Sequence, residues 1–252
     1  MNIASIQVAI SFKQQDDILY LLGQEIIEFQ KRHNAQKQPT NLPMASPPDA
    51  PRVSIFAPNF VLNIALNRID IFANIPPNVS NDSKTSLSYV QNIVKEAHDI
   101  FAKKIEYQWL GLVLNVVFSR KNLVKTPLEA VLPVYDVMIN VPRKNRDLAS
   151  FNCNFGFSEY PFFVIYTICG YENFEFSFPL PNNNVPVVIN DDKKRMIDTG
   201  ISVVLDINNK QALGKSINLL NDFDLTAEKC DALLLSMLDD LNLSKVLGNG
   251  GL

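Results

Sequence analysis

The chain has 252 residues, 47% hydrophobic and 19% charged, with a formal net charge of −3. That balance is globular, long enough to bury most of its apolar surface, and it disfavours a generally basic nucleic-acid binder. The three cysteines, Cys153, Cys169 and Cys230, are widely spaced with no CxxC, which suits reduced thiols better than a disulfide scaffold or a zinc site.

The opening "SIQVAISF" alternates strictly. Ile6, Val8, Ile10 and Phe12 point one way and Ser5, Gln7, Ala9 and Ser11 the other, the period of a half-buried strand. Asp16 or Asp17 then caps a helix to about Asn34, with Ile18, Leu22, Ile26 and Phe29 at helical spacing and Lys31 and Arg32 in the last turn. Residues 35–52 hold five prolines among polar residues and read as a connector without regular structure, mobile unless docked. Strands follow at 52–57, 59–67 and 68–75, an antiparallel meander ended by Pro76-Pro77.

Ser83 or Thr85 opens a helix to about Lys104, with Leu87, Val90, Val94, Ala97 and Phe101 as its stripe. The stretch 107–120 is a strand apolar on both faces, and 126–139 a helix begun by Thr126-Pro127 and limited or kinked by Pro133. Beyond the basic turn at 142–147, three strands are expected at 148–157, 161–169 and 171–178, with turns at "SEYP" and at Gly170-Tyr171. A ninth strand, 196–208, carries Ile201, Val203, Leu205 and Ile207 on one face, and a helix capped by Thr226 closes the chain.

These pieces predict a single α+β domain over 1–252, with about nine mostly antiparallel strands and about four helices. The two halves, 1–120 and 121–252, are loosely alike, the mark of a pseudo-repeat. The opening lacks a basic leader, and the apolar runs 109–118 and 160–171 fall short of the roughly 20 residues a membrane helix needs. A cytoplasmic protein with no membrane contact is expected.

Chemistry finds little support. There is no phosphate-binding glycine loop and no GxSxG elbow, and His33 and His98 lie on separate helices. Neither a metal nor any other cofactor is expected. Asp198 and Asp206 flank a strand that ends near Lys210, as carboxylates do in metal-dependent nucleases. Position 208, where the commonest such pattern needs an acid, is Asn. A nuclease or other phosphate-handling enzyme using the two acids is the alternative reading. Arg143, Lys144 and Arg146, with Lys193, Lys194 and Arg195, are candidate phosphate contacts and would serve a nucleic-acid adaptor, a third reading.

The order of elements, from "RVSIFAPNFVLNIALNRIDIFANI" through "SYVQNIVKEAHDIF" and "YQWLGLVLNVVF" to "VVLDIN", resembles a sporadically distributed family of uncharacterised prokaryotic proteins of about this length. The resemblance implies no site residue. The family's patchy distribution implies a setting in phage defence, toxin systems or other mobile elements.

The leading expectation is a non-enzymatic module that binds a protein, either a partner or its own copy. The middle of "FNCNFGFSEYPFFVIYTICGYENFEFSF" is apolar on both faces, while its flanks place Asn152, Asn154 and Glu175 outward. An apolar strip through Phe163 and Ile165, bordered by those residues, is the expected contact surface. Helices covering that second face are the competing expectation.

Overall fold

A computed structural model describes residues 1–138 apart from 41, 42, 44 and 45, then 149–176, 194–213 and 218–240. The fold is α+β, built on one nine-stranded antiparallel sheet.

The first half runs β1 (Asn2–Phe12), α1 (Ile18–Leu21), α2 (Gly23–Arg32), β2 (Gln36–Pro39), β3 (Val53–Phe56), β4 (Phe60–Ile64), β5 (Arg68–Asn74) and α3 (Ser83–Phe101). The second runs β6 (Tyr107–Ser119), α4 (Pro127–Met138), β7 (Asn152–Glu159), β8 (Phe162–Phe176), β9 (Lys194–Asn208), a 3-10 turn at Lys210–Ala212 and α5 (Leu219–Asp240). The sheet order is β2-β3-β4-β5-β1-β6-β9-β8-β7.

That order contains one motif twice. Strand, helix, antiparallel meander and helix occur in each half, with four meander strands in the first (β2–β5) and three in the second (β7–β9), and the last meander strand pairs with the first strand: β5 with β1, and β9 with β6. The halves join where β1 and β6 pair antiparallel, Val8 opposite Leu112. The strand at 107–120 therefore begins the second repeat rather than ending the first. The shared sheet and a single apolar core make the two repeats one body.

The helices supply that core. The predicted stripes Ile18, Leu22, Ile26, Phe29 and Leu87, Val90, Val94, Ala97, Phe101 are all buried, and α3 packs on β1, α4 on β8 and β9, and α5 on β6 and β9. Helix α3 begins one residue after Asp82, whose carboxylate accepts the Thr85 backbone N–H at 2.7 Å. The first predicted helix is broken at Leu22 into α1 and α2. Among the described residues no helix is long and apolar enough to cross a membrane.

Two expectations are corrected. The segment 35–52 is docked where it is described. Its β2 pairs with β3, the Thr40 N–H bonds to Arg52 O, the Leu66 N–H bonds to Pro48 O, and Arg52 Nη2 reaches Ser46 O and Pro47 O. Gly170-Tyr171 is no turn, because β8 runs unbroken from Phe162 to Phe176. Gly170 is instead where α4 lies on the sheet: a Cβ there would stand 2.6 Å from Pro127 O. The count of nine strands survives because β2 is gained where one strand is lost by merger.

Candidate functional site

Registers place Gln7, Phe72, Val61, Val113, Asp206, Ile165 and Gly156 in one row across the sheet, on the face turned away from the core. The next row carries Asn63, Asp70, Ala9, Gly111, Asn208 and Phe163. Core-side neighbours such as Val8, Leu112, Leu205 and Ile168 are fully buried, whereas Val113, Val204 and Ile165 are only half-buried and Phe72 and Phe163 are exposed. The second face of the middle strand is thus left open by the described residues, while α4 covers the side of Val164 and Ile168. The expectation that helices cover both sides is corrected.

The open face carries few charges. Small residues at Ser5, Ala9, Gly111, Ser202 and Gly156 line it, and three carboxylates interrupt it: Asp70, Asp206 and, at its far end, Asp198. Asp70 is buried and paired with Arg68 at 2.8 Å, with Gln7 Nε2 at 3.4 Å. Asp206 lies between Val113 and Ile165, and burial pushes its carboxyl above the usual range against the pull of the Asn208 hydrogen bond and Lys210. Lys210 itself sits 4.2 Å over the Trp109 ring.

Phe163, Ile165, Asn152 and Asn154 share this face, and the two asparagines are exposed on the edge strand. Glu175 stands further along β8, opposite Arg195 and beyond a bulge in β9. Arg195 is exposed. Arg143, Lys144, Arg146 and Lys193 lie outside the described residues, as does the Lys194 side chain. Cys153 and Cys169 fall on opposite faces of the hairpin: Cys153 opposes the buried Ile168 and Cys169 opposes Asn152.

The two acids of the nuclease reading are held apart. Asp198 and Asp206 are eight residues apart on one strand, a separation of about 26 Å at strand rise. Each is committed locally. Asp198 accepts Tyr171 Oη at 2.7 Å, Ser119 Oγ and the Thr199 N–H, which ties β6, β8 and β9 together at their far end. Burial and this carboxylate both push the Tyr171 phenol above its ordinary value. No group of three or more His, Cys, Asp or Glu side chains is placed to hold a metal ion among the described residues.

The core side carries a second polar group that sequence reading passed over. Asn209 Oδ1 accepts the Leu110 N–H at 2.7 Å, and its Nδ2 donates to Asp222 Oδ2 at 2.8 Å. Tyr107 Oη donates to the same oxygen at 2.7 Å. This network pins the first turn of α5 to β6. A cavity of about 260 Å³ lies beside it, lined by Ile10, Ile69, Phe101 and Tyr107, with His98 and Glu106 also in its wall.

His33 packs against Phe29 and Phe60, with ring centroids at 4.4 and 5.0 Å. Its Nε2 lies 2.8 Å from Glu96 Oε2 without the alignment of a hydrogen bond. Burial therefore outweighs the attraction of Glu96, and the imidazole titrates below its ordinary value. NMR titration should give His33 a midpoint below 6.5. The fold favours neutral His33, so its contribution is complete above 6.5 and declines as pH falls toward the lowered value. A midpoint at or above 6.5 would show Glu96 dominant.

No protein-family model and no curated protein matches this chain.

Proposed function

We propose that this is a non-enzymatic protein-binding module whose open sheet face receives a protein partner. The observation that carries the reading is a nine-stranded sheet whose described helices all lie on one side, with a partly apolar surface of few charges on the other among the described residues. Nine strands at about 4.8 Å spacing span roughly 38 Å. With about 20 Å of strand length, the face offers roughly 800 Å², about one partner's share of a standard interface. The partner's complementary surface is apolar, around Phe72, Val113 and Ile165, and brings one hydrogen-bond donor or cation to Asp206. The resemblance adds a setting, a phage-defence, toxin or other mobile-element system, and the module would act there by holding another component.

Photo-crosslinkers placed at Phe72 and at Val113 should trap the same protein, and one at Leu235 on the helix side should not. Equal trapping from Leu235 would reject the face as the contact surface.

Asp206 supplies an independent test. A carboxyl whose ionisation is disfavoured by the fold is kept at a cost in stability. Asp206→Asn should raise Tm by a few degrees at neutral pH and weaken partner binding at least ten-fold. The gain in Tm should shrink as pH falls through the raised pKa, where wild-type Asp206 becomes neutral. A variant that is stabilised yet binds at full strength removes Asp206 from the contact.

A further inference from the structure

We infer that the outer edge of β7 pairs with the same edge of a second copy, antiparallel about a two-fold axis at Gly156, so that two sheets continue into one. This goes beyond the open-face reading and stands without it.

The two edges of the sheet are built differently. At one end β2 is four residues long and carries Lys37 and Pro39, two devices that keep an edge from recruiting another strand. At the other end β7 is eight residues long, "NCNFGFSE", with neither lysine nor proline. Its partner among the described residues is β8 alone, and Asn152, Asn154 and residues 156–159 are exposed. A long strand edge of this kind offers unpaired backbone groups along its length.

Its side chains suit pairing with a copy of themselves. In an antiparallel pair centred on Gly156, Phe155 opposes the second copy's Phe157, and the reverse pair repeats the contact. Phe157 is 51% exposed and stands edge-on to Phe155 at 5.6 Å, so the pairing would build a four-ring cluster on the helix side. On the open face Asn154 opposes Ser158, amide against hydroxyl. Glu159 is the strand's only charge. It opposes Cys153 rather than itself, and it is already held by Lys229 of its own chain. Closed two-fold symmetry, which an antiparallel pair of identical edges satisfies, is also the commonest symmetry of homo-oligomers. Within the chain the repeats already join in this manner, β1 against β6.

The test combines sedimentation with cross-linking on the full chain. Wild type should sediment as a dimer at micromolar concentration. Asn154→Lys with Ser158→Lys, which sets lysine against lysine at two places, should weaken the dimer at least ten-fold while circular dichroism is unchanged. Directly opposed residues in such a pair stand about 4.5–5.5 Å apart at Cα, within disulfide range. In a Cys153→Ser, Cys169→Ser background, Gly156→Cys should therefore form an inter-chain disulfide under mild oxidation, and Lys37→Cys on the other edge should not. A wild type that stays monomeric to roughly 100 μM overturns the inference. So does a dimer that tolerates the lysine pair with its fold intact, or one that gives no disulfide at position 156. If the lysine pair unfolds the chain, the disulfide result decides alone. Phe72→Asp, which is remote from β7, should leave the dimer in place, so loss of partner binding and loss of the dimer read out separately.

Discussion

Replacing Val164 and Tyr166 together by aspartate should unfold the protein, whereas replacing Phe163 and Ile165 together should leave it folded and unable to bind its partner. The four residues are consecutive on β8, and all carry mainly apolar side chains. Val164 is 1% and Tyr166 5% exposed on the side that α4 covers, with Phe155 stacked on Tyr166 at 5.3 Å. An unpaired carboxylate in that layer costs several kcal/mol after relaxation, and two would consume most of the roughly 5–15 kcal/mol that holds a domain together. Phe163 is 38% exposed and Ile165 half-buried beside Gly156 and Asp206. Aspartates there keep water contact, although one beside Asp206 adds like-charge repulsion of about 1 kcal/mol. Urea titration should show the first pair without a cooperative transition and the second with a midpoint only modestly lowered. Binding of the trapped partner by the second pair should fall below detection. A second pair that folds and binds normally would end the open-face proposal.

Gly200→Ala should be among the most damaging single changes in the chain. A Cβ at Gly200 would lie 2.0 Å from Phe118 O and 2.9 Å from the Tyr171 ring. The ring can swing, but the carbonyl belongs to β6 and cannot yield without parting β6 from β9, the pairing that ties the meander to the centre of the sheet. Overpacking against side chains costs about 1–3 kcal/mol, and against backbone the loss should reach about 3 kcal/mol or more. Chemical denaturation of Gly200→Ala against Gly23→Ala checks this, because the Gly23 position has open space for a methyl group. Equal midpoints would mean that β9 shifts freely at that point.

Much of the fold was legible because its causes are local. Alternation in β1 and the 3.6-residue stripes of α2 and α3 place the same side chains in the core that the structure buries. Expectations failed where a residue's meaning depends on what lies across from it. Gly170 read as a turn because glycine commonly marks one, yet its lack of a side chain serves Pro127, which is 43 residues earlier. The prolines of 35–52 argued against regular structure, but Pro39 sits at an edge, where its missing donor costs no ladder bond. Asn209 and Asp222 gave no signal, since a buried hydrogen-bond network has no period. Asp198 and Asp206 share a face, as their even spacing implied, but strand geometry sets them too far apart to share a ligand.

By itself the sequence determined the class of the protein: antiparallel strands with amphipathic helices, a nearly neutral chain, and a β8 apolar on both faces along its middle. Those follow from side-chain periodicity and composition, which act over one or two turns or a few strand residues. Only the tertiary structure decided that the two repeats join at β1 and β6, that the described helices gather on one side, and that the described residues leave the face of Phe163 and Ile165 uncovered. A two-faced apolar strand is equally consistent with a second helical layer, because periodicity records that a side chain avoids water and not what covers it. The pairing register and the side on which each crossover helix falls are set by contacts between residues distant in the chain, and these give the ambiguous apolar strand one face that the described helices pack on and one that they do not.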